Sequence, residues 1–256
     1  IADSRGPVGI LLNGWFKTNG KEWPPHATLV PLFHGFHIRL FQCPELLSPA
    51  SLDYFRRFGP IGCRDPHTEG LLRSHGVEAF MTNCLTLTLP RRLAASARDV
   101  FVVSRDERIR DLLPATIGRY EFVSHYTGTR DFAANMDAAA ALLDRYRTRA
   151  RLIVTTLLHC ALPAIAMGIP VVVIYPPNAE AAHASDRERF SALEGLVPLH
   201  TLDDLATIDW NPAPVDISGL KLALIESFFE SARRRWGETG LRPIGPIAPS
   251  SILPPP

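Results

Sequence analysis

The chain has 256 residues, of which 46% are hydrophobic and 21% are charged, a composition typical of a globular protein with a sizeable core. Its 27 Lys and Arg nearly balance its 26 Asp and Glu, which gives a formal net charge of +1. This balance removes the composition-level argument for a nucleic acid or an anionic membrane as partner, because both require a clear basic excess. The four cysteines include no C-x-x-C pair, which argues against a zinc knuckle or a redox dithiol.

The location of the protein is predicted from its apolar segments. The first residues lack the charged head and apolar core of a secretory signal. The most apolar stretch, 152–175, is interrupted by His159, Pro163, Gly168 and Pro170. A membrane span carries such breaks badly, whereas a strand, a short helix and a second strand need them. The sequence therefore predicts a cytoplasmic protein.

Short apolar runs alternate with helical patterns in the first part of the chain. Strands are predicted at 8–12, 29–40, 60–63 and 77–81, and helices at 51–58 and 66–75. Asp65 is expected to cap the second of these helices, with Pro66 at its first position and Gly76 just after its end.

The same alternation continues to the end of the chain. Strands are predicted at 99–104, 121–124, 152–155 and 170–174, and helices at 105–113, 131–149, 160–167, 185–193 and 220–236. Repeated strand–helix–strand units indicate an α/β protein with parallel sheets flanked by helices. About four strands precede residue 95 and about four follow, which predicts two Rossmann-like lobes. We place the N-terminal lobe at 1–92 and the C-terminal lobe, with its proline-rich tail, at 93–256. The basic cluster 233–235 is expected to be a solvated helix end.

Ligands of such lobes gather beyond the carboxyl ends of the strands, so polar residues there are candidate site residues. Arg64 lies between a strand end and a helix start, where its guanidinium can face an anion. The alternative is that Arg64 forms a salt bridge with Asp65 or with a neighbouring loop.

Two further polar clusters follow predicted strands. His159 lies at a helix start in an otherwise apolar run, and a histidine there can act as an acid or a base near neutral pH. The alternative is a structural histidine with satisfied hydrogen bonds. In segment 178–190, Arg187 and Arg189 can hold a phosphate or can be solvated helix charges.

Two segments resemble the polysaccharide pyruvyl transferase family. The run from Gly62 to Val77, followed by 83–89, resembles a family motif in which G-x-R-D-x-x-T-x-x-L-L leads to C-L-T-L-T-L or a related segment. The run 154–171 is similar to a second family signature, T-S-R-L-H-G followed by a small apolar helix and G-x-P. Segment 186–196 is similar to the helix that follows this second signature in the family. The resemblance therefore covers roughly residues 55–200.

This resemblance implies a GT-B-like fold, with the N-terminal lobe on the acceptor side and the C-terminal lobe on the donor side. It also implies transfer of a pyruvyl group from phosphoenolpyruvate onto two hydroxyls of a sugar, in a polysaccharide or its lipid-linked precursor. Phosphoenolpyruvate is then a donor substrate, and neither a cofactor nor a metal is expected. The expected membrane contact is at most peripheral, through a lipid-linked glycan.

The resemblance also assigns roles on the donor side. His159 matches the family histidine and is expected to be the catalytic acid or base, while Arg64 matches the family arginine and is expected to clamp the donor. Thr156 is expected to add a hydrogen bond to the donor. Arg187 and Arg189 are expected to contribute charge.

Acceptor residues are expected among aromatic and imidazole side chains of the first lobe. Trp15, His34 and His37 are the candidates, because aromatic faces stack on sugar rings and imidazole edges bond hydroxyls. The alternative for the two histidines is that they close local hydrogen bonds. Phe33 and Phe36, between and beside them, are expected to be core residues.

Two positions depart from the family signature. Leu157 stands where the family has arginine, two residues before its histidine, and Cys160 stands where it has glycine. Leucine cannot neutralise a carboxylate or phosphate, so donor affinity is expected to fall unless Arg187, Arg189 or Arg130 substitutes. Two other functions stay open: a related transferase with a nucleotide or phospho-sugar donor, and a family member that binds a glycan without catalysis.

Overall fold

The computed structural model describes residues 6–16, 23–93, 97–175 and 187–237. These residues form two compact units. The first unit contains the described residues up to 88 together with 187–192 and 218–237, and the second contains 89–175 and 193–217. Each unit is a parallel sheet with helices, so the fold is mixed α/β as the alternation of elements predicts.

The first unit has a four-stranded parallel sheet in the order β1-β2-β3-β4. Its strands are β1 (Val8–Gly14), β2 (Leu29–Phe36), β3 (Ile61–Cys63) and β4 (Ala79–Met81), and its connecting helices are α1 (Cys43–Leu46), α2 (Pro49–Phe58) and α3 (Pro66–Ser74). The four predicted strands are confirmed. β2 is shorter than predicted because Gly35 has φ of +77° and the chain then turns into a 3-10 helix at Leu40–Gln42.

Aromatic side chains fill the core of the first unit. The rings of Phe33 and Phe36 lie 5.0 Å apart edge to face, and each lies within 5.6 Å of the Phe55 ring on α2. All three side chains are buried, and each contributes about 1.5–3 kcal/mol through removal of apolar surface from water. The prediction that Phe33 and Phe36 are core residues is confirmed.

The second unit has a five-stranded parallel sheet in the order β6-β5-β7-β8-β9. Its strands are β5 (Asp99–Val103), β6 (Tyr120–Val123), β7 (Ala150–Thr155), β8 (Val171–Ile174) and β9 (Leu199–His200), and its helices are α4 (Phe132–Arg149) and α5 (Leu158–Ala166). β9 was not predicted because two residues carry no periodicity. The helix predicted at 105–113 is a 3-10 helix at Glu107–Leu112.

The C-terminal helix differs from its predicted place. Helix α6 (Ser218–Ala232) and the π-helical turn Arg233–Gly237 belong to the first unit, whereas the predicted division at residue 92 gave them to the second. Trp236 Nε1 donates to the Val30 carbonyl at 3.2 Å. Arg235 donates to the carbonyls of Phe58 (2.6 Å) and Gly59 (2.8 Å), so this arginine of the basic cluster is anchored rather than solvated.

No helix in the described part of the chain has both the length and the apolar character needed to cross a membrane.

Candidate active site

Polar side chains gather at the carboxyl ends of β2 and β3 in the first unit. His37 follows β2, and Arg64 and Asp65 follow β3. Their exposed fractions are 1%, 0% and 0%. Buried groups of this kind are costly unless they are hydrogen-bonded or paired, so their contacts define the site.

Asp65 is the acceptor at the centre of this cluster. Its Oδ1 accepts from the Thr68 amide at 2.9 Å, which confirms Asp65 as the cap of α3, and from the Thr68 hydroxyl at 2.8 Å. Its Oδ2 accepts from His37 Nδ1 at 2.7 Å. Burial raises the pKa of Asp65, but these hydrogen bonds and the charge of Arg64 outweigh burial, so the pKa lies below its ordinary value.

His37 is neutral and has a fixed tautomer. The 2.7 Å contact with Asp65 places the proton on Nδ1 and leaves a lone pair on Nε2. Burial lowers the pKa of His37, the Asp65 contact opposes that shift, and the charges of Arg64 and Arg189 lower the pKa further. Nε2 makes no hydrogen bond to any residue that the structure describes.

Arg64 lies beside the carboxylate. Its Nε is 3.7 Å from Asp65 Oδ2, which is an ion-pair distance, and its backbone amide donates to the Phe36 carbonyl at 2.8 Å. The salt bridge with Asp65 is therefore present. Burial lowers the pKa of Arg64 and the Asp65 charge opposes that shift, but a guanidinium keeps its proton at neutral pH.

Arg189 adds a second guanidinium to the first unit. It is half-buried on the 3-10 helix Arg187–Leu193, and its charge acts on His37. Arg187, on the same helix, is exposed.

His34 lies in the interior of the first unit. It has no exposed surface, and its ring packs edge to face on Phe228 of α6 at 5.4 Å. Burial lowers the pKa of His34 to about 4, so the ring is neutral at physiological pH.

Trp15, the third acceptor candidate, forms an aromatic cluster with residues that the sequence analysis did not single out. The Arg39 guanidinium lies 4.8 Å from the Trp15 ring centroid and 4.6 Å from that of Phe41. Phe41 is 53% exposed, and Trp15 is half-buried. The sequence did offer a signal for Phe41, because it is an aromatic residue directly after the predicted strand 29–40.

The second unit has its own polar edge at the carboxyl ends of β5 and β7. Thr156 Oγ1 lies 2.9 Å from the Ser104 hydroxyl, and the Thr156 amide donates to the Val103 carbonyl at 3.2 Å. Thr155 Oγ1 donates to the same carbonyl at 2.8 Å and accepts from the Leu157 amide at 3.0 Å. These bonds fix the backbone that leads into α5.

His159 is the second residue of α5, and its side chain is exposed. The other described residues of this helix are buried, including Cys160 next to it. The imidazole therefore projects from an apolar helix near its N-terminus, where the helix dipole favours an anion. This position leaves His159 accessible to a ligand.

The edge of the second sheet carries two further polar groups that the sequence analysis did not select. Arg105 follows β5, and His125 follows β6. His125 Nε2 lies 3.2 Å from the Tyr146 hydroxyl. Burial lowers the pKa of His125, and the Arg105 charge lowers it further.

The family model described as polysaccharide pyruvyl transferase matches residues 34–178, more than half of the chain. The chain belongs to the polysaccharide pyruvyl transferase family. The matched stretch contains His37, Arg64 and His159, while Trp15 and Arg189 lie outside it. Searches of curated proteins and of solved structures found no match.

In this family member, the site residues expected from the sequence fall into separate groups. His37, Arg64 and Arg189 come together in the first unit. Thr156 and His159 lie at the same strand end in the second unit. Three arginines were considered as replacements for the family arginine at position 157. Arg187 and Arg189 belong to the first unit, and Arg130 is exposed before α4.

The described residues include no group of three or more His, Cys, Asp or Glu that could hold a metal ion.

Proposed function

We propose that this pyruvyl transferase moves the pyruvyl group of phosphoenolpyruvate onto two hydroxyls of a sugar, in a polysaccharide or its lipid-linked precursor. Family membership supports a transferase with a carbohydrate acceptor. The observation that carries the choice of donor is Arg64, a guanidinium at the end of a strand with Asp65 and the charge of Arg189 nearby.

Phosphoenolpyruvate carries a phosphate and a carboxylate on a three-carbon frame, so it requires more than one cationic contact. Arg64 binds one of these anions, and Arg189 contributes the second positive charge. Bonds between guanidinium and carboxylate or phosphate are about twice as strong as neutral hydrogen bonds, and more so away from bulk water. Thr156 is proposed as a further donor of a hydrogen bond.

The chemistry requires one acid and one base. A proton is added to the methylene carbon of phosphoenolpyruvate, and a sugar hydroxyl then attacks the cationic C2. Phosphate leaves, and a second hydroxyl attacks C2 to close the ketal ring. Two hydroxyl protons are released, of which one is taken up by the methylene carbon and the other leaves with the phosphate. His159 is proposed as the group that exchanges these protons, because it is an exposed imidazole at a helix start.

The acceptor sugar is proposed to stack on the aromatic cluster of Trp15 and Phe41. Aromatic faces bind the apolar face of a pyranose, and Phe41 offers an exposed ring. Arg39, held against both rings, can donate to sugar hydroxyls. A GT-B-like arrangement, a cytoplasmic location and at most peripheral membrane contact remain parts of this proposal.

Leu157 favours a second candidate function, a related transferase with a nucleotide or phospho-sugar donor. The family arginine is absent at this position, and Leu157 is half-buried at the start of α5. Calorimetric titration of the wild-type protein separates the two functions. Saturable binding of phosphoenolpyruvate without binding of nucleotide sugars is the expected result, and the reverse pattern would replace the proposed function with the second one.

A further inference from the structure

His159 is the one basic side chain in the segment that joins β7 to α5. Residues 155–160 otherwise consist of two threonines, two leucines and a cysteine. None of these carries a permanent positive charge. A ligand anion that reaches His159 therefore finds no arginine or lysine on the same segment.

The neighbouring strand brings an arginine to the same edge of the sheet. β5 and β7 pair in parallel up to their carboxyl ends. Beyond the last pair, Ser104 Oγ lies 2.9 Å from Thr156 Oγ1 and accepts from the Asp106 amide at 3.0 Å. The second bond closes a turn whose middle residue is Arg105, and the first holds that turn against Thr156. The backbone of Arg105 is therefore fixed beside the segment that leads into α5.

The charge of Arg105 is not neutralised by its acidic neighbours. The adjacent Asp106 accepts from Arg108 Nε, which lies 2.9 Å from Oδ1 and 3.1 Å from Oδ2. The next acid, Glu107, lies 3.8 Å from the Arg110 guanidinium. Arg105 is exposed, and it forms no ion pair with any acidic residue that the structure describes.

This charge acts at the carboxyl edge of the second sheet. β6 lies on the other side of β5 from β7, and His125 follows β6. Burial lowers the pKa of His125, and the charge of Arg105 lowers it further. A guanidinium that reaches His125 from a turn held against Thr156 lies at the edge where parallel sheets bind their ligands.

We propose that Arg105 binds an anionic group of the donor substrate beside His159. This inference rests on the proposed function, in which His159 exchanges a proton with the methylene carbon of phosphoenolpyruvate. The carboxylate carbon and the phosphate-bearing oxygen are each two bonds from that methylene carbon. Both anions therefore come to the edge that holds His159, and an exposed guanidinium without an acidic partner is suited to bind one of them.

Calorimetric titration with phosphoenolpyruvate tests this contact in wild type, Arg105→Gln and Arg98→Gln. Arg98 is exposed and directly precedes β5, so its variant makes the same change of charge at the opposite end of the strand. We expect Arg105→Gln to weaken binding by about tenfold and Arg98→Gln to stay within about twofold of wild type. Unchanged affinity in Arg105→Gln, or equal losses in both variants, would overturn the inference.

The salt dependence of binding separates an ionic contact from a change in the shape of the site. Added NaCl screens the attraction between a guanidinium and an anion. We expect phosphoenolpyruvate affinity to fall less steeply with NaCl in Arg105→Gln than in wild type or Arg98→Gln. Equal steepness in all three proteins would contradict the proposed contact.

Arg64→Gln separates this inference from the proposed function. If Arg64→Gln loses phosphoenolpyruvate affinity and Arg105→Gln does not, only the inference fails. If the wild type does not bind phosphoenolpyruvate, the proposed function fails and the inference fails with it.

Discussion

At the scale of single residues, the proposed chemistry depends on His159. We expect His159→Ala to abolish transfer while leaving the melting temperature unchanged, because the imidazole is exposed and fills no core space. Release of phosphate from phosphoenolpyruvate in the presence of a glycan acceptor measures the turnover. His26→Ala, at another exposed histidine, is the control. Retention of more than about a tenth of the wild-type rate would remove His159 from the chemistry.

His34 makes stability depend on pH. Its pKa is about 4 in the folded protein and about 6.5 in the unfolded chain. Between these values the unfolded state binds a proton that the folded state does not, so the free energy of unfolding falls as pH decreases below about 6.5. The slope from this residue approaches about 1.4 kcal/mol per pH unit. Denaturant unfolding of the wild type and of His34→Leu at pH 7 and pH 5 measures this slope. If the free energy of unfolding changes equally with pH in both proteins, His34 is not the cause.

Sequence position selected Arg64 and His159 as candidates because both follow predicted strands, where ligands of parallel sheets collect. It did not reveal that His37 faces Asp65, because the two are brought together by pairing of β2 and β3 and by the cap of α3. The burial of His34 also depends on α6, which is far away in the sequence. Contacts between distant segments leave no local pattern to detect.

At the scale of elements, the close packing around β3 requires glycine at position 62. A Cβ there would lie 2.8 Å from the Phe33 carbonyl oxygen and 2.7 Å from Thr82 Cγ2. We expect Gly62→Ala to destabilise the protein by about 1–3 kcal/mol in denaturant unfolding, because neighbouring strands must move.

Gly70 provides the matched control. It lies inside α3, and a Cβ added to it meets nothing within 4 Å. Gly70→Ala is therefore expected to stabilise the protein by about 0.5–1 kcal/mol. If both substitutions change stability in the same direction, the steric argument for Gly62 is wrong.

Most elements could be predicted because their signals are local. Asp65 and Asp131 cap α3 and α4, and the apolar runs of β5 and β7 are typical of central parallel strands. β9 could not be predicted, because its strand conformation comes from pairing with β8 and its own two residues carry no strand pattern.

At the scale of the whole molecule, the chain leaves the first unit after residue 88 and returns to it for 187–192 and again for α6. A division at one boundary, near 92, was the simplest prediction from a continuous chain. The contacts that hold the π-helical turn after α6 to this unit are side-chain bonds to backbone carbonyls, from Arg235 to Phe58 and from Trp236 to Val30. A carbonyl acceptor has no sequence signature, so these contacts could not be predicted.

The family assignment and the buried cluster of the first unit lead to one central claim, that Arg64 binds phosphoenolpyruvate. Calorimetric titration of wild type and Arg64→Gln tests it most directly, with Arg57→Gln as the control at an exposed arginine of α2. Loss of the charge-assisted bond is expected to weaken binding by about 1.5–3 kcal/mol in Arg64→Gln and to leave Arg57→Gln unchanged. An identical dissociation constant in wild type and Arg64→Gln would contradict the claim.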